Sequence, residues 1–365
     1  MRTTVRPGAG VRYGRGVSEP SMRHHPGWFG SVMATAALSA AFYEESEVIG
    51  GPAFPVMANV FLVLATLLVI ALTPLYALRL RRVRGLAQDI ADPGTGALLA
   101  TFPGGLLVFA ATWAVVGVAW LGDAFALTLS AVVAVVGAVL AVALSVKWLS
   151  SLSSATFDLA EVNGGWLIPP AISLIVPLCI SPQMVAHPDQ ATWLLGLGLA
   201  FYGIGALLFI PIFTLIIARL MLRQTPPNAT MPALWTPLAP AGLIGLSLLR
   251  LLQAGATAEV IPQDAVVIGV VLSAMGVGLG LWWAAFATVR LTHVRRTGGL
   301  PFSPGWWGFV FPLAALELSL GNLADLMTSG PIQAVAFVGF VCLLVVWILV
   351  SVRTTSAFLR GARSA

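Results

Sequence analysis

Residues 331–352 read Pro-Ile-Gln-Ala-Val-Ala-Phe-Val-Gly-Phe-Val-Cys-Leu-Leu-Val-Val-Trp-Ile-Leu-Val-Ser-Val, without one charged side chain. As an α-helix this run would be about 33 Å long, against a bilayer hydrocarbon core of about 30 Å. It is continuously apolar, whereas a strand of a membrane barrel would alternate. The composition of the whole chain agrees with the run. Of 365 residues, 58% are hydrophobic and 9% charged, where a soluble domain carries roughly 25% charge. That balance excludes a soluble globular enzyme, a disordered chain and a disulfide-stapled secreted module.

Ten such runs are legible: 26–43, 53–78, 97–120, 124–146, 166–181, 192–218, 233–253, 263–289, 305–327 and 331–352. Short acidic loops join them in consecutive pairs, so the expected fold is an all-α polytopic membrane protein of ten transmembrane helices in five hairpins. Of the 19 Lys and Arg residues, 18 lie in the tails or between the hairpins, and Arg250 alone lies on the opposite side. That opposite side carries Glu44, Glu45, Glu47, Asp189 and Asp325. By the positive-inside rule both termini are expected in the cytoplasm of a multi-pass cell-membrane protein. Residues 1–23, basic and lacking the apolar core of a cleavable signal peptide, read as a disordered cytoplasmic tail. Residues 24–355 read as the membrane domain and 356–365 as a cytoplasmic C-terminal tail.

The odd-numbered runs carry prolines at near-regular spacing. Pro26, Pro103, Pro170, Pro240 and Pro312 are separated by 77, 67, 70 and 72 residues. A fixed period in a membrane protein marks an internal repeat. A proline inside a membrane helix removes a backbone hydrogen bond and kinks it, and the freed carbonyl must face protein or a wet cavity. Five kinked helices are therefore expected to form an inner ring around a pore, with the smoother even helices outside. The alternative is that prolines are simply common in membrane helices.

Three stretches resemble the tellurite-resistance/dicarboxylate transporter family, which includes plant slow anion channels and malic-acid transporters. They are His25-Pro26-Gly27-Trp28-Phe29-Gly30, Leu238-Ala239-Pro240-Ala241 and Trp306-Trp307-Gly308-Phe309-Val310-Phe311-Pro312-Leu313. They fall on runs 1, 7 and 9. The resemblance implies an inner ring of odd helices lined by the kinks at Pro26, Gly30, Pro103, Pro170, Pro240 and Pro312. It also implies a homotrimer with one pore per subunit, and a phenylalanine gate that aligns with Phe311. Val310 departs from the family's small hydroxyl residue. The implied partners are small anions: inorganic ions such as chloride or nitrate, C4-dicarboxylates, or sulfite- and tellurite-related species.

Glu317 is the one acidic residue deep inside a run, where an ionisable group faces a cavity or a partner. It could stay protonated, carry a coupling proton or pair with Arg250; a structural hydrogen bond behind the pore is the competing reading. Arg250 could equally snorkel to the outer surface. The Gly276-x-x-x-Gly280 spacing suits either a subunit contact or packing within one subunit. Cys179 and Cys342 read as buried thiols. No metal-ligand spacing, nucleotide loop or nucleophile pairing is present, so no enzyme activity, cofactor or nucleic-acid partner is expected. An anion channel or uniporter is the leading function, and a proton-coupled organic-acid or oxyanion transporter the alternative.

Overall fold

The computed structural model describes residues 25–81, 89–90, 93–154, 156–223 and 226–363, and there is no strand among them. The tail expected over 1–23 lies outside the described residues. With lipid around them, backbone amides must pair within their own segment, so even valine-rich runs become helices. Helix α1 (Phe29–Ile49) follows a 3-10 turn at Pro26–Trp28. It is followed by α2 (Ala53–Leu80), α3 (Gly96–Leu121), α4 (Asp123–Ser153), α5 (Gly164–Ala186) and α6 (Ala191–Leu222). The chain ends with α7 (Asn228–Thr257), α8 (Val266–Thr297), α9 (Pro304–Met327) and α10 (Gly330–Arg363). Nine of these, α2 to α10, are long and apolar enough to cross a membrane. In α1 the tenth position is filled by a helix whose hydropathy is diluted by small residues, hydroxyls and glutamates.

Two of the acidic-end turns are tight, and glycine makes them possible. Gly50 and Gly51 adopt φ of 72° and 90° between α1 and α2, and Gly122 adopts 80° between α3 and α4. These are left-handed conformations that a β-carbon disfavours. The helices overrun the apolar runs mainly at the basic end. Helix α4 continues to Ser153 and α10 to Arg363, so residues 356–363 of the expected C-terminal tail are helical.

Packing separates the two sets of helices. In an apolar stretch of each helix, 67, 89, 83 and 72% of residues are buried in α3, α5, α7 and α9. The corresponding shares in α2, α4, α6, α8 and α10 are 22, 17, 22, 33 and 22%. Helix α1 is buried almost throughout from Phe29 to Phe42. Contacts run α1–α3–α5–α7–α9 and back to α1, closing the expected inner ring. Each even helix lies outside, in the groove between its own hairpin partner and the next inner helix. Its outer face is apolar, as at Val139 and Leu207, 64% and 70% exposed, which suits lipid and not water.

Small residues allow the close approaches. A β-carbon on Gly242 of α7 would stand 2.4 Å from the Ala315 carbonyl of α9. Gly276 and Gly280 of α8 pack on Ala241 and Leu316, within the subunit. Cys179 is buried, but Cys342 is exposed on the outer side of α10, contrary to the expectation of two buried thiols.

Hydrogen bonds tie consecutive inner helices together, each donated back to the preceding one. Thr101 Oγ1 donates to the Pro26 carbonyl (2.7 Å) and Thr112 Oγ1 to that of Ala36 (3.1 Å). Cys179 Sγ donates to the Leu107 carbonyl (3.3 Å), and Ser247 Oγ to that of Leu174.

Candidate functional site: two cavities divided by Phe311

Two cavities enter the ring, one from each end, and inner helices and their leading turns supply the walls. The acidic-end cavity, about 560 Å³, is bounded by Glu44 and Glu47 of α1, Thr112 of α3, Arg250 of α7, and Phe311 and Asp325 of α9. The basic-end cavity, about 460 Å³, includes His25, Thr101, Asn163, Thr236, Trp307 and Phe311. Phe311 is the residue common to both. It is 8% exposed, and Pro312, next in the chain, lines the basic-end side. Phe309, two positions earlier and about 200° round the helix, lies on neither wall. Its ring packs edge-on against Trp235 and Trp306 instead.

The basic-end cavity suits an anion. Because hairpins alternate direction, all five inner helices point their N-termini to this end. The turn leading into α1 reaches its wall at Gly27, and the first turns of α5, α7 and α9 reach it at Gly165, Thr230 and Gly305. Helix N-termini carry unpaired N–H groups and partial positive charge. His25 Nδ1 accepts from Gly27 N (3.0 Å) and Asn163 Oδ1 from Gly165 N (2.9 Å). Among the described residues no carboxylate lines this cavity.

Electrostatics at the other end are centred on Glu44. Its Oε1 accepts from Arg250 Nη2 at 2.9 Å, and Asn322 Nδ2 lies 2.8 Å from both carboxylate oxygens. One side chain of α1 thereby holds α7 and α9. Near the end of α3, Trp113–Gly117 forms a π-helical turn; Val115 within it and Thr112 just before it line the same cavity.

The remaining expected site residues are placed as follows. Gly30 and Pro312 line the basic-end cavity, whereas Pro26, Pro103, Pro170 and Pro240 are absent from both walls. Most of the six are also not kinks. Pro26 opens a 3-10 turn, and Pro103 and Pro240 are third in the helical segments Thr101–Thr112 and Leu238–Thr257. In a first turn the missing N–H costs nothing, so proline starts a helix there. Gly30 packs on Trp307. Pro170 lies in the short segment Ile168–Ser173, which breaks before Val176. Of the five prolines among these six, Pro312 alone lies in the interior of an uninterrupted long helical segment, Trp307–Met327, as Pro74 and Pro211 do in α2 and α6. Arg250 pairs with Glu44 and not with Glu317. Glu317, 3% exposed, faces Gly339 of α10 behind the ring, and its Oε2 has no hydrogen-bond partner among the described residues.

Sequence reasoning missed Glu44 as a site residue, reading it as a loop acid, and missed Asn322; it noted Pro304 but took Pro312 as the ninth run's member of the proline repeat. Pro304 had a signal: Pro26-Gly27-Trp28 and Pro304-Gly305-Trp306 are the same tripeptide, and both open 3-10 turns. Pro304, not Pro312, is therefore the structural counterpart of Pro26.

A ring of five buried helices, sheathed by five lipid-facing ones and entered by a cavity from each end, is the architecture of a membrane transport protein. Residues 23–355 match the voltage-dependent anion channel family, and the chain belongs to it. Two proteins of Methanocaldococcus jannaschii, each named an uncharacterized transporter, are 25% and 24% identical to it over 213 residues. Those matches cover 57% of this chain and 59% and 60% of the relatives, so the chain spans about six-tenths of their length.

Proposed function

We propose that the chain passes small anions through the inner ring, with the Phe311 ring as the barrier between the two cavities. The observation that carries this reading is that Phe311 lines both cavities. A phenyl ring across a narrow passage blocks it sterically and by dewetting. The N-terminal ends around the basic-end cavity supply the attraction for negative charge. Either cavity has room for an inorganic anion or a C4-dicarboxylate, since a water occupies about 30 Å³. The basic end faces the cytoplasm in this reading, in line with the positive-inside rule. The lipid-facing even helices offer the surface for a homotrimer in the cell membrane.

Proton-coupled transport is the second reading, with Glu317 as its proton site. The unpartnered Glu317 Oε2 favours it; the position behind α9, off both cavity walls, favours the channel reading.

The test is anion flux in proteoliposomes. Phe311→Ala is expected to raise chloride or nitrate flux above wild type, and Phe309→Ala to leave it at the wild-type level. Equal flux from the two variants contradicts the reading.

A further inference from the structure

Arg250 is the one lysine or arginine on the walls of either cavity among the described residues. Its guanidinium donates to Glu44 Oε1 at 2.9 Å, and its side chain is 43% exposed. Asn322 is 5% exposed, and its Nδ2 also donates to the Leu318 carbonyl at 2.9 Å. That second bond fixes the amide, so its nitrogen and not its oxygen meets Glu44. Two donors from different helices thus converge on one planar, singly charged oxoanion, which here is the chain's own side chain. The cavity holding this carboxylate is one of the two that Phe311 lines.

We propose that Arg250, on the wall of the acidic-end cavity, and Asn322, behind Glu44, form an anion-binding pair, that Glu44 occupies it as a built-in ligand, and that a permeating anion competes with Glu44 for it. The permeation part rests on the anion-pathway reading above. The chemistry defines the ligand class. A guanidinium and an amide N–H match a carboxylate or nitrate, each planar with oxygens about 2.2 Å apart, better than a spherical halide. The geometry also explains why an anion pathway tolerates Glu47 and Asp325 on the same wall. The attraction is concentrated at Arg250, and its own neutralising partner is the group to be displaced. An anion leaving Phe311 towards this end meets that pair before the mouth.

The experiment measures binding directly, so that it needs no open pore. The full-length protein in detergent is titrated with acetate and with nitrate, and the thermal unfolding midpoint is followed, since a ligand bound only to the folded state raises it. Glu44→Ala vacates the pair, and both anions should then saturate at concentrations about tenfold or more below any wild-type response. Glu44→Gln preserves the shape while removing the competing charge, and should shift in the same direction if truncation proves too disruptive. Adding Arg250→Gln to either variant should abolish the gain. An unchanged acetate and nitrate response in folded Glu44→Gln, or a gain that survives Arg250→Gln, overturns the proposal. A Phe311→Ala variant that fails to conduct while Glu44→Gln binds more tightly would sink the pathway reading alone.

Discussion

The carbonyl of Leu174 illustrates how one atom shapes this ring. Pro177 has no N–H to offer the backbone behind it, and Leu178 N turns to the Ile175 carbonyl at 3.0 Å. The Leu174 oxygen is therefore free to accept from Ser247 Oγ of α7, joining a broken helix to an intact one. Ser247→Ala leaves that buried acceptor without its partner, at a cost of about 1–3 kcal/mol. The expected outcome is a lower unfolding midpoint in detergent, while Thr257→Ala, exposed at the end of α7, leaves it unchanged. Similar midpoints for the two would mean that the Ser247 bond contributes nothing net. Gly242 works by absence. Gly242→Ala puts a β-carbon 2.4 Å from a backbone oxygen of α9 and should cost about 1–3 kcal/mol by overpacking. Gly278→Ala, with nothing within 4 Å of the new carbon, should be neutral or slightly stabilising, because alanine is the better helix former.

At the scale of elements, the prolines of the first and ninth runs divide into helix starters, Pro26 and Pro304, and the interior Pro312. Pro26 and Pro304 open 3-10 turns whose N–H groups would be unpaired anyway. Pro304→Ala should therefore shift stability by less than about 1 kcal/mol and leave anion flux alone. Pro312 sits inside α9, next to Phe311. Pro312→Ala restores a helical N–H and should re-aim Phe311, so flux should change more than the unfolding midpoint does. Unaltered flux would mean that Pro312 does not set the direction of Phe311. The difference between the two kinds was hidden in the sequence. A proline in an apolar run reads alike whether it starts a helix or bends one, and only the 3-10 turns before α1 and α9 separate the cases. What the runs did disclose was the number of helices, their pairing and, through the prolines recurring in the odd-numbered runs, which set is inside.

For the molecule as a whole, the acidic end was the least legible part. Glu44, Glu45 and Glu47 make a charged stretch that reads as a loop, yet Glu44 lies on a buried helix. Its partners Arg250 and Asn322 are 206 and 278 residues away in the chain. No local pattern announces such a meeting. Phe311 was legible through the motif around it, and its place between two cavities gives that motif a physical meaning. The alternation of acidic and basic ends also carries a topological expectation. A cysteine introduced at Gly51 or at Asp189 should react with an impermeant thiol reagent from outside intact cells. A cysteine at Thr297, beyond the basic end of α8, should react only after permeabilisation. The reverse pattern would invert the orientation.

In the proposed pathway the Phe311 side chain, and not the packing around it, separates the two cavities. Anion current through purified protein in planar bilayers, measured across a size series at this one position, tests it most directly. Truncation of a pore plug leaves an opening, whereas truncation in a sealed core leaves a cavity and costs stability. Current should rise in the order Phe311→Trp, wild type, Phe311→Leu, Phe311→Ala. Currents that stay at the wild-type level throughout the series, in variants that remain folded, would contradict it.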